Sequence, residues 1–300
     1  MTILSFSTNL SRRLLVARRL GIISAVIAVV ERNSLSERLR RRGHLRRRLE
    51  IALMRRDYSW ADVVVGVSEG VSRDVESVLG LGVGSVVTIR NGVDRERVEA
   101  GVGGVPDPGP FAEVFGGLAR PVVVSVGRLV EQKAQVDLVE AFARLPEGSR
   151  GSLVVLGEGP LRGVLEERVR ELGLEGRVVL PGFVANPWWF VARADLFVLS
   201  SRYEGFGLVL AEALVCGVRV VATDCPSGPR EILEGVEGAW LVPVGDVGAL
   251  SDAMHTALTT TTDLTAIERG DRVQSGRSMT AQYERLVEGI PQSRSRAGSR

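Results

Sequence analysis

The sequence predicts an α/β protein built on parallel sheets with helices on both faces, and three observations carry that prediction. From about residue 120 onward, short apolar runs alternate with segments of helical period, as they do where strands and helices succeed one another along the chain. The runs, such as Leu153 to Leu156 and Leu196 to Leu199, lack polar alternation, which is the pattern of strands buried on both faces. One of them, Asp195 to Leu199, leads through a glycine loop into the apolar helical segment Leu208 to Cys216, a strand-loop-helix unit.

Composition sets the outer bounds. The 300 residues are 45% hydrophobic and 25% charged, enough globular material for two domains. A formal net charge of +2 excludes a polycation, yet the basic residues are uneven: residues 37 to 48 read E-R-L-R-R-R-G-H-L-R-R-R, and the chain ends S-R-S-R-A-G-S-R. Two cysteines, Cys216 and Cys225, suit a reducing compartment and offer neither a disulfide framework nor a metal set.

Taken in order, Ile3 to Phe6 is a short strand and Leu10 to Leu20 a basic helix. The apolar run from Gly21 to Val30 follows. With the arginines before it, the run has the outline of a signal peptide, but it falls short of the about 20 residues that span a bilayer. It is β-branched and no small-x-small cleavage site follows, so it reads as a core strand. Residues from Tyr58 to Val67 contain another buried strand, Ser68 or Ser72 caps the next helix, Val86 to Ile89 is a strand and Asn91-Gly92 a turn. Residues 1–100 thus form one domain. The Gly- and Pro-rich start of residues 101–120 marks a linker. Residues 121–275 form a second domain, with strands at Pro121 to Val126, Leu153 to Leu156, Arg177 to Leu180, Leu196 to Leu199, Val218 to Ala222 and Ala239 to Val242. Its helices include Gln135 to Leu145 and Leu161 to Leu172. A helix at 276–290 and a basic, disordered tail at 291–300 complete the reading.

The chemistry concentrates in Ser200 to Cys216, S-S-R-Y-E-G-F-G-L-V-L-A-E-A-L-V-C. Gly205 and Gly207 leave backbone N–H groups of Phe206, Gly207 and Leu208 open at a helix N-terminus, where the dipole favours a phosphate. Glu204 stands in the loop and Glu212 one turn inside the helix, so a diphosphate there has one carboxylate on each side, suited to hydroxyls of two sugars. Since ligands of a parallel sheet bind at the carboxyl ends of its strands, Arg128, Glu158, Phe183, Glu204 and Asp224, all just past strand ends, fall on one rim. Gly127-Arg128 and Lys133 supply cations that neutralise a diphosphate and stabilise it as a leaving group; the bland reading is two solvated cations. Phe183 and Val184 flank a base, or belong to the core. Gly157 to Gly163, G-E-G-P-L-R-G, resembles a dinucleotide fingerprint, but its spacing is G-x-G-x-x-x-G and no acidic residue ends the next strand, which argues against NAD and for a tight turn under a nucleotide. No metal set is present: His44 and His255 are isolated and no D-x-D pair ends a strand.

The E-x7-E pair, G-R-L at Gly127, Lys133, V-S-E-G at Val67, R-N-G-V-D at Arg90, G-E-G-P at Gly157, P-G-F-V at Pro181 and S-G-P-R-E-I at Ser227 together resemble the retaining family 4 glycosyltransferases of the GT-B fold, over about residues 60 to 245. The resemblance implies two Rossmann-like domains, the second binding the nucleotide-sugar donor. It implies catalytic roles for Glu204, Arg128 and Lys133, and donor contacts at Gly127, Glu158, Phe183, Val184, Gly205, Phe206, Gly207, Leu208 and Glu212, the last on the ribose. It further implies a metal-independent reaction, with no cofactor, in which the leaving phosphate assists acceptor deprotonation on the front face. The wording S-G-P-R-E-I, Ser227 to Ile232, resembles members that move N-acetylated hexosamines from UDP.

Departures from the family pattern are also visible. The resemblance implies a longer first domain, whose first strands and glycine-rich loop are expected to be missing here. Ala134 stands where glycine or asparagine is common, and Arg219 where proline is. Glu31, Arg32 and Asn33, at the end of a first-domain strand, are the acceptor-side candidates, and the helix at 276–290 is expected to cross back to the first domain. The arginine block Arg38 to Arg48 is a solvated helix face or a surface for anionic headgroups of a membrane. Nucleic acid is not expected, because no aromatics interleave the arginines. The expectation is a cytoplasmic enzyme, peripheral at the inner membrane face, that moves a hexose or N-acetylhexosamine from a UDP-sugar to a glycan or polyprenyl-linked acceptor. The alternative is a truncated, non-catalytic nucleotide-sugar-binding lobe that needs a partner chain.

Overall fold

A computed structural model describes residues 1–40, 42–104, 111–260 and 273–290. The chain divides into two units. The first comprises Met1–Gly92, Pro226–Gly228 and the described residues from Gln274 on; the second comprises Val93–Cys225 and the described part of Pro229–Val273.

The first unit starts with β1 (Thr2–Ser5), α1 (Thr8–Arg19) and β2 (Val26–Glu31), continues through α2 (Leu35–Arg40) and α3 (His44–Tyr58) to β3 (Val63–Gly66), and then α4 (Glu69–Leu79) and β4 (Val87–Thr88). The strands pair in parallel in chain order, β1-β2-β3-β4. All six residues of β2 are buried, so the second half of the apolar run, Val26 to Val30, is a central strand; Gly21 to Ala25 form the turn and coil before it, with Ile22 71% exposed. Ser68 caps α4 by accepting from the Val71 N–H, and Gly80, left-handed at φ 59°, ends the helix. Tyr58 closes α3 rather than opening β3; it is buried, and its hydroxyl donates to Glu31 Oε1.

The second unit contains α5 (Arg95–Gly103), α6 (Phe111–Gly116), β5 (Val122–Val126), α7 (Gln135–Ala143), β6 (Ser152–Leu156), α8 (Arg162–Glu171), β7 (Val178–Gly182), α9 (Pro187–Val191), β8 (Leu196–Leu199), α10 (Leu208–Val215), β9 (Val220–Thr223), α11 (Pro229–Leu233), β10 (Ala239–Val242) and α12 (Val247–Thr259). The last described helix, α13 (Gly276–Gly289), groups with the first unit, where the Gly92 N–H meets Met279 Sδ and Phe6 meets Tyr283 edge to face. The described part of residues 101–120, read as linker, holds the end of α5 and all of α6; residues 105–110 and 291–300 lie outside the described residues.

Six parallel strands run in the order β10-β9-β8-β5-β6-β7. Alternate residues share a face. Val123, Leu153, Val155, Leu196, Val198 and Val221 pack with Leu138 and Phe142 of α7, Leu165 of α8 and Leu250 and Met254 of α12 in one buried cluster. On the other face Phe197 meets residues of α9 and α10. Both faces are thus covered, which is why the strands read as continuous apolar runs.

Candidate functional site

The strand order of the second unit fixes where a ligand fits. The chain begins in the middle at β5, adds β6 and β7 on one side, then returns to β5's other edge with β8 and continues outward. The loops after β5 and β8 therefore leave the sheet from neighbouring strands in opposite senses, and the crevice between them is the topological switch point where open parallel sheets bind ligands.

Both loops are tied across that crevice. Lys133 Nζ, at the end of a short 3-10 turn after β5, donates to Glu204 Oε1 at 2.6 Å, and the Ser201 hydroxyl donates to the same oxygen at 2.6 Å. The pair is well buried, with side-chain exposures of 16% for Lys133 and 8% for Glu204. Backbone joins reinforce it: Ser200 Oγ donates to the Lys133 carbonyl, Gln132 Nε2 to the Tyr203 carbonyl, and the Arg202 N–H to the Gln132 carbonyl. The 3-10 turn closes on Ala134, whose left-handed φ of 48° starts α7. Arg128 is exposed on the same loop and makes no ion pair among the described residues.

Gly207, left-handed at φ 87°, occupies the N-cap of α10, and no side chain caps the helix. Phe206 is buried beside it and Leu208 is part-exposed. Glu212 lies one turn into α10, with Trp188 of α9 beside it in the lining of one small cavity. Burial pushes its carboxyl above the usual 4.5; the Trp188 indole N–H, buried and without a hydrogen bond of normal geometry, and the Arg97 guanidinium pull it part of the way back. Arg97 sits 5.5 Å from the Trp188 ring centroid. Each of the two carboxylates also has a cysteine near it. Burial, then Glu204, pushes the Cys225 thiol up to about 12, and burial, then Glu212, does the same to Cys216, so both remain neutral thiols.

The neighbouring loop explains its glycines by backbone contact. A Cβ on Gly157 would lie 2.0 Å from the Gly127 carbonyl oxygen, and one on Gly159 2.4 Å from that of Leu129. The Leu129 N–H donates to the Glu158 carbonyl, and the Leu161 N–H to the Leu129 carbonyl. Glu158 itself is exposed and paired with Arg162 at 2.9 Å. Phe183 stands 78% exposed after β7, with Val184 next to it, part-buried.

A family described as "Glycosyl transferases group 1" matches residues 117–272. The chain belongs to the group 1 glycosyl transferases. It is 33% identical over 201 residues to a Campylobacter jejuni protein named N-acetylgalactosamine-N,N'-diacetylbacillosaminyl-diphospho-undecaprenol 4-alpha-N-acetylgalactosaminyltransferase, covering 67% of this chain and 52% of that one. It is 37% identical over 135 residues to the lipopolysaccharide core biosynthesis glycosyltransferase LpsE of Rhizobium meliloti, covering 45% and 38%. The chain thus spans about half the length, or less, of these curated relatives. The fold is GT-B: the crystal structure of Anabaena HepE in complex with UDP superposes with a TM-score of 0.80 at 20% identity, over 96% of this chain and 79% of that one.

Within this group 1 glycosyl transferase, the second unit brings together Gly127, Arg128, Lys133, Glu204 to Leu208 and Glu212 around the ends of β5 and β8. The acceptor-side candidates Glu31, Arg32 and Asn33 lie in the first unit, together lining a cavity of about 350 Å³. Ser201, Gln132, Trp188 and Arg97 escaped the sequence reading. Ser201 was within sight, three residues before Glu204; Trp188 and Arg97 reach Glu212 only through the packing of α9 and α5 against α10. Among the described residues no three His, Cys, Asp or Glu side chains group as metal ligands, and no helix is long and apolar enough to cross a membrane.

Proposed function

We propose that this chain transfers a hexose or N-acetylhexosamine from a nucleoside-diphosphate sugar, UDP-sugars first, to a glycan or polyprenyl-linked acceptor with retention of configuration. The observation that carries this reading is the buried Lys133–Glu204 pair at the switch point, next to the uncapped N-terminus of α10. A diphosphate at that helix start accepts from open N–H groups, with Lys133 and the unpaired Arg128 offsetting its charge. Negative charge grows on this diphosphate as the glycosidic bond breaks, so the same groups stabilise the transition state more than the bound donor. They do so without a metal or other cofactor. Glu204, fixed by Lys133 and Ser201 on one oxygen, keeps its other oxygen for a donor-sugar hydroxyl, and Glu212 takes the ribose hydroxyls. Glu158, Phe183 and Val184, on the loops after β6 and β7, take the nucleoside end. The names of the Campylobacter and Rhizobium relatives and the UDP held by HepE favour this substrate class.

On the acceptor side we infer a cytoplasmic protein in peripheral contact with an anionic membrane through Arg38 to Arg48. Leu45 and Leu49 are exposed among the arginines of α3, pairing apolar anchors with positive charge. Calorimetric titration with UDP, GDP, UDP-GlcNAc and UDP-GalNAc tests the donor reading. One donor should bind, and Glu212→Ala and Lys133→Ala should each weaken it by about 1 to 3 kcal/mol; a folded chain that binds none of the four overturns the assignment.

A further inference from the structure

Glu212 sits in α10, yet the groups that act on it come from two other helices of the second unit. The Trp188 indole of α9 lies beside it, lining the same small cavity as Val126, Phe197 and Val209. The indole nitrogen is buried without a hydrogen bond of normal geometry, and its N–H favours the ionised form of Glu212 all the same. A buried indole N–H costs free energy until it is paired, so it favours the Glu212 rotamer that brings a carboxylate oxygen to it. A phenylalanine would fill the same space. Packing alone therefore does not call for an indole; the N–H does.

The indole is in turn held by α5. A Cβ on Gly101 would lie 2.5 Å from Trp188 Cε3 and 2.9 Å from Asn186 Oδ1, so a residue without a side chain is what lets α5 lie this close to α9. Asn186 Nδ2 donates to the Gly101 carbonyl at 2.8 Å, and Arg193 Nη1 donates to the Val102 carbonyl at 3.3 Å. One turn before Gly101, the Arg97 guanidinium lies over the Trp188 ring, 5.5 Å from its centroid, and its charge also favours ionised Glu212. Of the other elements against α10, β9 and α9 carry no charged side chain, and α11 carries Glu231 and Arg230, the latter paired with Asp224. α10 itself leads into the Cys216 thiol, which remains neutral.

We propose that Trp188 is a positioning residue for Glu212: its N–H fixes one carboxylate oxygen and leaves the other for the ribose, while Arg97 and Gly101 of α5 hold the indole in place. This rests on the donor reading in one respect, that Glu212 takes the ribose hydroxyls. The arrangement parallels the one at Glu204, where Lys133 and Ser201 share one oxygen.

The test is calorimetric titration of the full chain with UDP and with 2',3'-dideoxyuridine diphosphate, which lacks both ribose hydroxyls, on the parent, Trp188→Phe, Arg97→Gln and Gly101→Ala. Arg97 is exposed, so its variant folds even if another is perturbed, and thermal melting checks all three. Trp188→Phe and Gly101→Ala should each weaken UDP about tenfold and the dideoxy nucleotide less than about twofold, since a fixed carboxylate matters only where there are hydroxyls to accept. Arg97→Gln should act in the same direction with a smaller loss. Gly103→Ala, on the same helix with open space around it, should change neither. Equal losses for both nucleotides in Trp188→Phe would mean that the indole only packs, and UDP affinity unchanged in the folded variant would overturn the inference outright. A second measurement needs no ligand: the Glu212 carboxyl titration, followed by carbon NMR and assigned with Glu212→Gln, should move to higher pH in Trp188→Phe. A chain that binds UDP but shows no such movement sinks this inference alone, and one that shows the movement but binds no UDP sinks the donor reading alone.

Discussion

Each unit places a buried carboxylate at the carboxyl end of a parallel strand, yet the two are held by different chemistry. In the first unit, whose strands pair in simple chain order, Glu31 is satisfied by neutral hydroxyls of Tyr58 and Thr8. In the second, where the order reverses between β5 and β8, Glu204 is held by the Lys133 ammonium reaching over from the neighbouring loop. A reversal brings loops from distant parts of the chain side by side, here Lys133 and Glu204, so opposite charges can meet. In the first unit the Arg38 guanidinium favours the charged form of Glu31 only from nearby, with no ion pair within 4 Å among the described residues, and the carboxylate's hydrogen bonds come from hydroxyls. The comparison teaches that one carboxylate is fixed by a charged group reaching across the switch point and the other by hydroxyls of its own unit.

The largest expected effect breaks the charged side. Glu204→Ala leaves the Lys133 ammonium buried and unpaired, which costs about 3 to 5 kcal/mol of stability, read from denaturant midpoints, and removes donor binding. The Lys133→Ala, Glu204→Ala double variant should lose clearly less than the sum of the single losses; strict additivity would mean the pair is not a unit. Next in size is the loop packed beneath it. Gly157→Ala drives a methyl into the Gly127 carbonyl and forbids φ 141°, at a cost of about 3 kcal/mol. Gly163→Ala, in the same sequence motif but with open space around it in α8, should stabilise by about 0.5 to 1 kcal/mol. Equal effects at the two glycines would refute the backbone-contact explanation.

A pH experiment sharpens the contrast between the carboxylates. Burial raises the Glu31 pKa above 4.5, with Tyr58 as the main opposing group. Between 4.5 and that raised value the folded chain holds a proton that the unfolded chain has lost, so stability from this group is present at low pH and falls as pH rises through the window. Glu31→Gln keeps an oxygen for the hydroxyls and removes the charge, so it should be more favourable at pH 7.5 than at pH 4.5 when compared with the parent. Glu204→Gln should do the reverse at pH 7.5, destabilising the chain by stranding Lys133. Glu212 belongs with Glu31 in direction, its pKa also raised by burial. If Glu212 takes the ribose hydroxyls as proposed, its ionised form accepts them more strongly, so donor affinity should fall on acidification from a point above 4.5, and Glu212→Gln should flatten that dependence while lowering affinity.

Much of this was legible in the sequence because it rests on local pattern. The strands at 196–199 and 239–242 coincide with the predicted runs, and β2 emerged from the β-branched run at Gly21 to Val30. The E-x7-E pair and its glycines lie in one stretch of chain, so their shared location at α10 followed directly. What stayed hidden depends on tertiary packing. The helices α5, α6 and α9 are short, and the P-W-W-F run of α9 has the apolar content of a strand; its helicity is set by Asn186 capping at the Trp189 N–H and by proline at the first turn. The Lys133–Glu204 bond spans 71 residues and exists only because β8 returns to the edge of β5. The glycines Gly157 and Gly159 lie against the backbone of Gly127 and Leu129, a contact that sequence spacing cannot express.

The smallest effect tests how each unit handles a left-handed residue. The first unit uses Gly80 at the end of α4, and the second uses Ala134 at the start of α7. A Cβ on Gly80 would lie 2.2 Å from a nitrogen of the Arg55 guanidinium, whose Nε–H donates to the Leu79 carbonyl, so Gly80→Ala should cost about 1 to 2 kcal/mol of backbone strain and displace that hydrogen-bonded group as well. At Ala134 the same strain is already present, and glycine would relieve about 1 to 2 kcal/mol of it. Two terms oppose that gain. Glycine adds about 0.4 to 1 kcal/mol of unfolded-state freedom, and the buried methyl gives up about 0.8 kcal/mol of apolar contact. The sum lies near zero, so Ala134→Gly should shift stability by less than about 0.5 kcal/mol, whereas Ala141→Gly, inside the same helix and equally buried, should cost at least about 1 kcal/mol. Thermal denaturation of the two variants side by side decides it: an equal loss at both positions would mean that the φ of 48° at Ala134 carries no strain, and that alanine suits the turn before α7 as well as glycine suits the end of α4.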